Sequence, residues 1–125
     1  MQLISVRIIA DDIQKMVHFY EQVTEAPAVW YTPDFAEIRT PVATLAIGST
    51  NTLKFFNGEA YLEAAHNKTV IIEFRVADVD QVYSRLSETL KPYLIQQPTK
   101  MPWGNKSLLF KDPEGNLVNF FTPAS

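Results

Sequence analysis

A chain of 125 residues, 46% apolar and 20% charged, is long enough to bury one shared core and is not composed like a disordered segment. Its net charge of -3, without any run of Lys or Arg, argues against a nucleic-acid partner or an anionic membrane surface. The absence of cysteine excludes disulfides, thiolate chemistry and Cys-based zinc sites. No stretch approaches the roughly 18 apolar residues of a membrane span. The expected address is therefore cytoplasmic.

Over residues 3–9, Ile4, Val6 and Ile8 alternate with Ser5 and Arg7, which predicts a strand with one buried face. Asp11 or Asp12 caps the helix that follows, and Asp11 with Gln14 has the spacing of a capping box. Ile13, Met16, Val17 and Tyr20 then recur at helical spacing, a stripe suited to the strand's apolar face. His18, on the other side of that helix, is an ordinary exposed residue in this reading, as is His66. Pro27 stops the helix, and Phe35 to Thr40, Ala43 to Gly48 and Thr52 to Phe56 read as three short strands. Residues 57–68 form a linker.

The second half opens with Val70, Ile72, Phe74 and Val76 on one face of a strand and Ile71, Glu73 and Arg75 on the other. Val79, Val82, Tyr83, Leu86 and Leu90 mark its helix. With Pro92, Pro98 and Pro102, the stretch Lys91 to Gly104 is extended or loop and not a second helix. Ser107 to Phe110 and Leu117 to Phe121 are strands around a turn in which Pro113 and Gly115 occupy suitable positions. Asp112 to Asn116 lacks the acidic spacing of a calcium loop.

Residues 69–90 repeat residues 3–22 at an offset of 66, which sets Asp12 on Asp78, Val6 on Ile72, Ile8 on Phe74 and Arg7 on Glu73. A repeat of this length means two copies of one supersecondary unit. The predicted fold is α+β, a single domain of two tandem βαβββ modules: about 1–57, a linker about 57–68, and about 69–125.

Three motifs in this order carry a resemblance: Asp12-Ile13 through Phe19-Tyr20, then Phe74-Arg75-Val76-Ala77-Asp78-Val79-Asp80, then residues 102–117, which run from Pro102-Trp103-Gly104 to Gly115-Asn116-Leu117. The chain resembles the vicinal oxygen chelate superfamily, which holds glyoxalase I, extradiol dioxygenases and drug-binding proteins of the bleomycin-resistance type. The resemblance implies a curved mixed sheet around a cleft, with the helices outside. It also implies a metal ligand, His or Glu, on the first and last strand of each module. Carried over, these positions fall on Ser5, near Leu53 between Thr52 and Lys54, on Ile71 and on Asn119. None offers an anionic oxygen or an imidazole, whereas a divalent ion needs several such ligands. The expectation is the fold without a metal or other cofactor, so that function has to be argued from the site itself.

Arg7 and Glu73 project from the face opposite the helices, which in that architecture lines the cleft. Two readings stand: an internal ion pair closing the cleft, or polar anchors for a ligand. Trp30, Tyr31, Phe35 and Trp103 lie in or beside Pro-rich connections, as walls of a pocket or as subunit contacts. The expected ligand-binding set is Ser5, Arg7, Trp30, Phe55, Ile71, Glu73, Trp103 and Asn119, in a homodimer that sequesters an aromatic or amphipathic small molecule. A metal-independent lyase or isomerase with Glu73 as general base is the second reading. A structural module with a closed cleft is the third.

Overall fold

The computed structural model describes residues 1–124; Ser125, the end of the expected second module, lies outside them. The chain divides into two compact units, Met1–His66 and Asn67–Ser125. Among the described residues no helix is long and apolar enough to cross a membrane.

The first unit contains β1 (Ser5–Ala10), α1 (Ile13–Thr24), β2 (Val29–Thr32), β3 (Phe35–Arg39) and β4 (Thr44–Ser49). Its sheet runs β1-β4-β3-β2, with β1 parallel to β4 and the other neighbours antiparallel. Asp12, rather than Asp11, caps α1: its Oδ1 accepts from the Lys15 N–H at 3.1 Å. This satisfies one of the backbone donors that a helix start leaves without an internal partner. Ile13, Met16, Val17 and Tyr20 are buried as their spacing requires, and α1 packs on β3 and β4. The helix ends at Glu25 in left-handed backbone, two residues before Pro27.

One predicted strand of this unit is absent and another takes its place. Thr52 to Phe56 is not extended, because Thr50–Phe55 winds into a 3-10 helix, followed by a second over Asn57–Ala60. The cause is local: the Thr52 hydroxyl donates to the Ser49 carbonyl at 2.7 Å, and the Ser49 hydroxyl accepts from the Asn51 N–H at 3.2 Å. Such side-chain bonds to the backbone turn the chain as soon as β4 ends. The missing strand of the βαβββ pattern is β2, four residues rich in β-prone side chains and irregular in register against β3.

The second unit repeats the plan with β5 (Ile71–Arg75), α2 (Val79–Leu90), β6 (Leu94–Lys100), β7 (Lys106–Lys111) and β8 (Leu117–Thr122), in the order β5-β8-β7-β6. Asp78 caps α2, accepting from Asp80 and Gln81. Part of the Pro-rich stretch becomes β6, an edge strand with register shifts, where Pro98 removes a donor that a central strand would need. The hairpin between β7 and β8 turns at Gly115, whose φ of +86° suits glycine.

Candidate functional site

The rungs of each sheet sort its side chains into two faces. In the first unit Val6, Ile8, Ala36, Ile38, Leu45 and Ile47 share the apolar face on which α1 packs. Arg7, Ala46 and Glu37 form one rung of the other face, and Gly48 and Phe35 belong to the next. The exposed Arg7 guanidinium lies over the Phe35 ring at 5.1 Å and over Phe56 at 5.9 Å, a cation held by two aromatic faces. Small residues make this possible. A side chain at Gly48 would stand 3.5 Å from Arg7 Cδ and 3.0 Å from Thr52 Oγ1.

The second cation of this face is already engaged. Arg39 Nε donates to Glu37 Oε1 at 3.1 Å, the Tyr31 hydroxyl donates to the same oxygen at 2.9 Å, and Arg39 Nη2 donates to the Tyr31 oxygen. The carboxylate raises the Arg39 pKa above its ordinary value. Arg7 has no ion pair within its unit and keeps its guanidinium donors for other acceptors.

In the second unit the corresponding rung is Glu73, Asn119 and Leu109, flanked along β5 and β8 by Ile71, Arg75, Leu117 and Phe121. Asn119 Nδ2 donates to Glu73 Oε2 at 2.9 Å. Glu73 is exposed and Asn119 is nearly buried.

Several predicted site residues stand elsewhere. Trp30 pairs with Ala36, so it belongs to the face of α1 and not to that of Arg7. Phe55 ends the first 3-10 helix and is 86% exposed; its neighbour Phe56 is the ring beside Arg7. Trp103 sits in the turn between β6 and β7, 71% exposed. Ser5, paired with Thr44, and Ile71, paired with Leu117, do share the faces of Arg7 and Glu73, two residues before them on β1 and β5. The last-strand position of the first module is corrected as well. It is Ala46, opposite Arg7 as Asn119 is opposite Glu73, because β4 ends before Leu53. Phe56, Glu37 and Arg39 were not singled out from the sequence; the charge alternation in Glu37-Ile38-Arg39 was the available signal.

Among the described residues no group of three or more His, Asp or Glu side chains is gathered as a metal site would require. A groove of about 380 Å³ at the start of α2, lined by Asp78, Asp80, Lys100, Lys106 and Thr122 among others, contains none of the predicted residues. Lys106 Nζ and Asp80 Oδ2 pair across 2.7 Å there.

Asp34, between β2 and β3, accepts from Ser49 Oγ at 2.6 Å and from Asn51 Nδ2 at 3.2 Å. These bonds, the Ser49 hydroxyl first, hold its carboxyl below the usual carboxylate range. A depressed carboxyl stabilises the fold above its unfolded-state pKa, and that contribution is lost as pH falls through the folded value. Wild type is expected to lose more stability than Asp34→Asn between neutral and strongly acidic pH, read by urea denaturation. Equal losses would remove Asp34 from the acid response.

The chain matches the family model of the Glyoxalase/Bleomycin resistance protein/Dioxygenase superfamily over residues 2–120. It is 25% identical to "Uncharacterized protein YraH" of Bacillus subtilis (strain 168), across 97% of this chain and 98% of that protein. A glyoxalase/bleomycin resistance protein/dioxygenase family enzyme from Burkholderia phytofirmans PsJN superposes with a TM-score of 0.82 at 19% identity, covering 94% of this chain and 95% of that one. A lactoylglutathione lyase from Agrobacterium tumefaciens gives 0.71 at 19% identity, over 97% and 92% of the two chains. With the paired modules and the match over nearly the whole sequence, this chain belongs to the glyoxalase, bleomycin-resistance and dioxygenase superfamily.

Proposed function

We propose that the protein binds an aromatic or amphipathic small molecule on a sheet face that carries no helix, without a divalent metal, as a homodimer in which the exposed Trp103 contributes to the contact. The observation that carries this reading is the chemistry of two equivalent rungs. Ser5, Ile71 and Asn119 occupy positions that the family resemblance assigns to metal ligands, Ala46 stands opposite Arg7 as Asn119 stands opposite Glu73, and none of the four has a carboxylate or an imidazole. In the first unit a guanidinium bracketed by Phe35 and Phe56 shares the face, and in the second an exposed carboxylate does so. Apolar walls with a few polar anchors are the usual composition of a small-molecule site.

A thermal-shift screen of aromatic and amphipathic compounds, followed by native mass spectrometry, tests this. The expected result is a compound that raises Tm and appears in the spectrum on a two-subunit species. The double variant Arg7→Leu, Glu73→Met alters exposed positions, where substitutions usually change stability by no more than about 0.5 kcal/mol. It should fold and lose the shift. A shift of unchanged size in that variant would place the ligand elsewhere.

A further inference from the structure

Among the described residues one buried side-chain polar atom has no hydrogen-bond partner, Oδ1 of Asn119. Asn119 is 9% exposed and sits on β8, an inner strand between β5 and β7. Its Nδ2 is already engaged by Glu73 Oε2. Turning the amide over would not relieve the oxygen: Oδ1 would then face a carboxylate oxygen, and Nδ2 would lose its acceptor. The donors of the adjoining rungs, Arg75, Ser107 and Lys111, make no hydrogen bond to it. Leu109 lies opposite Asn119 on β7, and Leu117 and Phe121 stand two residues away on the same face of β8. Buried polar groups are nearly always paired. An orphaned carbonyl oxygen beside a carboxylate therefore marks a place for a donor that this unit does not provide.

The charge of the site specifies that donor further. Glu73 is exposed, and within its unit no ion pair joins it to Arg75 or Lys111, the cations of the same face. Two adjacent acceptors, one fully charged, select a positively charged N–H donor over a neutral one. We propose that Glu73 and Asn119 form the anchor for a protonated amine, which donates one N–H to the Glu73 carboxylate and another to Asn119 Oδ1. The ammonium arrives from the exposed Glu73 side. Ile71, Leu109, Leu117 and Phe121 offer apolar contact to the hydrocarbon or aryl part of the same molecule. This inference rests on the small-molecule reading above and names the chemical class of the ligand.

Calorimetric titration of the full chain at low salt with benzylammonium, benzyl alcohol and benzoate tests it, on wild type, Glu73→Gln and Asn119→Leu, each checked for folding by circular dichroism. Benzylammonium should bind wild type in preference to the other two probes, and each variant should bind it about tenfold more weakly or worse, the loss expected for a charge-assisted hydrogen bond. If Asn119→Leu does not fold, Glu73→Gln at its exposed position decides alone. Equal ammonium binding by wild type and Glu73→Gln overturns the anchor. So does a wild type that ignores benzylammonium but answers to benzoate, benzyl alcohol or other compounds of the screen, an outcome that leaves small-molecule binding standing. No response to any compound overturns both.

Discussion

Phe120→Ala is expected to lower the stability of the protein by about 3–5 kcal/mol, the range for removing a large aromatic side chain from a closed core. Phe120 is 1% exposed and meets two other rings edge to face, Phe110 at 5.0 Å between centroids and Phe74 at 5.4 Å. Alanine would delete the ring from both pairs and leave a cavity that Phe110 and Phe74, themselves fixed on β7 and β5, close only in part. Since small domains are stable by about 5–15 kcal/mol in total, this one change consumes a large share of the margin. A urea titration should show a much lower midpoint with an unchanged slope. A loss under about 1 kcal/mol would mean that the neighbouring rings collapse into the space.

The second large effect is expected at Asp112, in the turn between β7 and β8. Asp112 is 2% exposed and accepts hydrogen bonds from its own turn: at Oδ1 from the backbone N–H groups of Glu114 and Asn116, both at 3.0 Å, and at Oδ2 from Asn116 Nδ2 at 2.8 Å. Alanine would strip the acceptor from donors of which those of Asn116 are buried, a cost of about 3 kcal/mol by the usual penalty for unpaired buried groups. Asp112→Asn keeps one acceptor oxygen and should fall between wild type and Asp112→Ala in Tm. The same residues that lack a calcium-loop pattern are thus explained as the internal bracing of a hairpin. If Asp112→Ala melts with wild type, the bracing contributes nothing.

Much of this architecture could be read before any coordinates. The offset of 66 residues placed equivalent caps at Asp12 and Asp78, and both accept hydrogen bonds at the start of their helices. It also placed Arg7 and Glu73 at equivalent points of β1 and β5, which begin at Ser5 and Ile71. Caps and alternation are properties of a few consecutive residues, so a single strand or helix displays them in its own sequence. Thr52 to Phe56 escaped that reading because five residues are too few to separate a strand from a short helix by period alone. The hydroxyls of Ser49 and Thr52 decided the matter.

The order of residues along each strand settles which side chains share a face: Arg7 opposite Val6 and Ile8, and Glu73 opposite Ile72 and Phe74. Their neighbours come from segments distant in the chain. Phe35 and Phe56 reach Arg7 from β3 and from beyond β4, and Asn119 reaches Glu73 from 46 residues further along the chain. The periods of single strands do not encode these neighbours, because the register between β1 and β4 or between β5 and β8 is set where the apolar faces of separate elements close on one another. A shift of one residue there would turn each side chain of the shifted strand to the opposite face of the sheet. Core packing thus selects the rung, and the rung places a small Ala46 beside Arg7 and a partly unsatisfied amide beside Glu73.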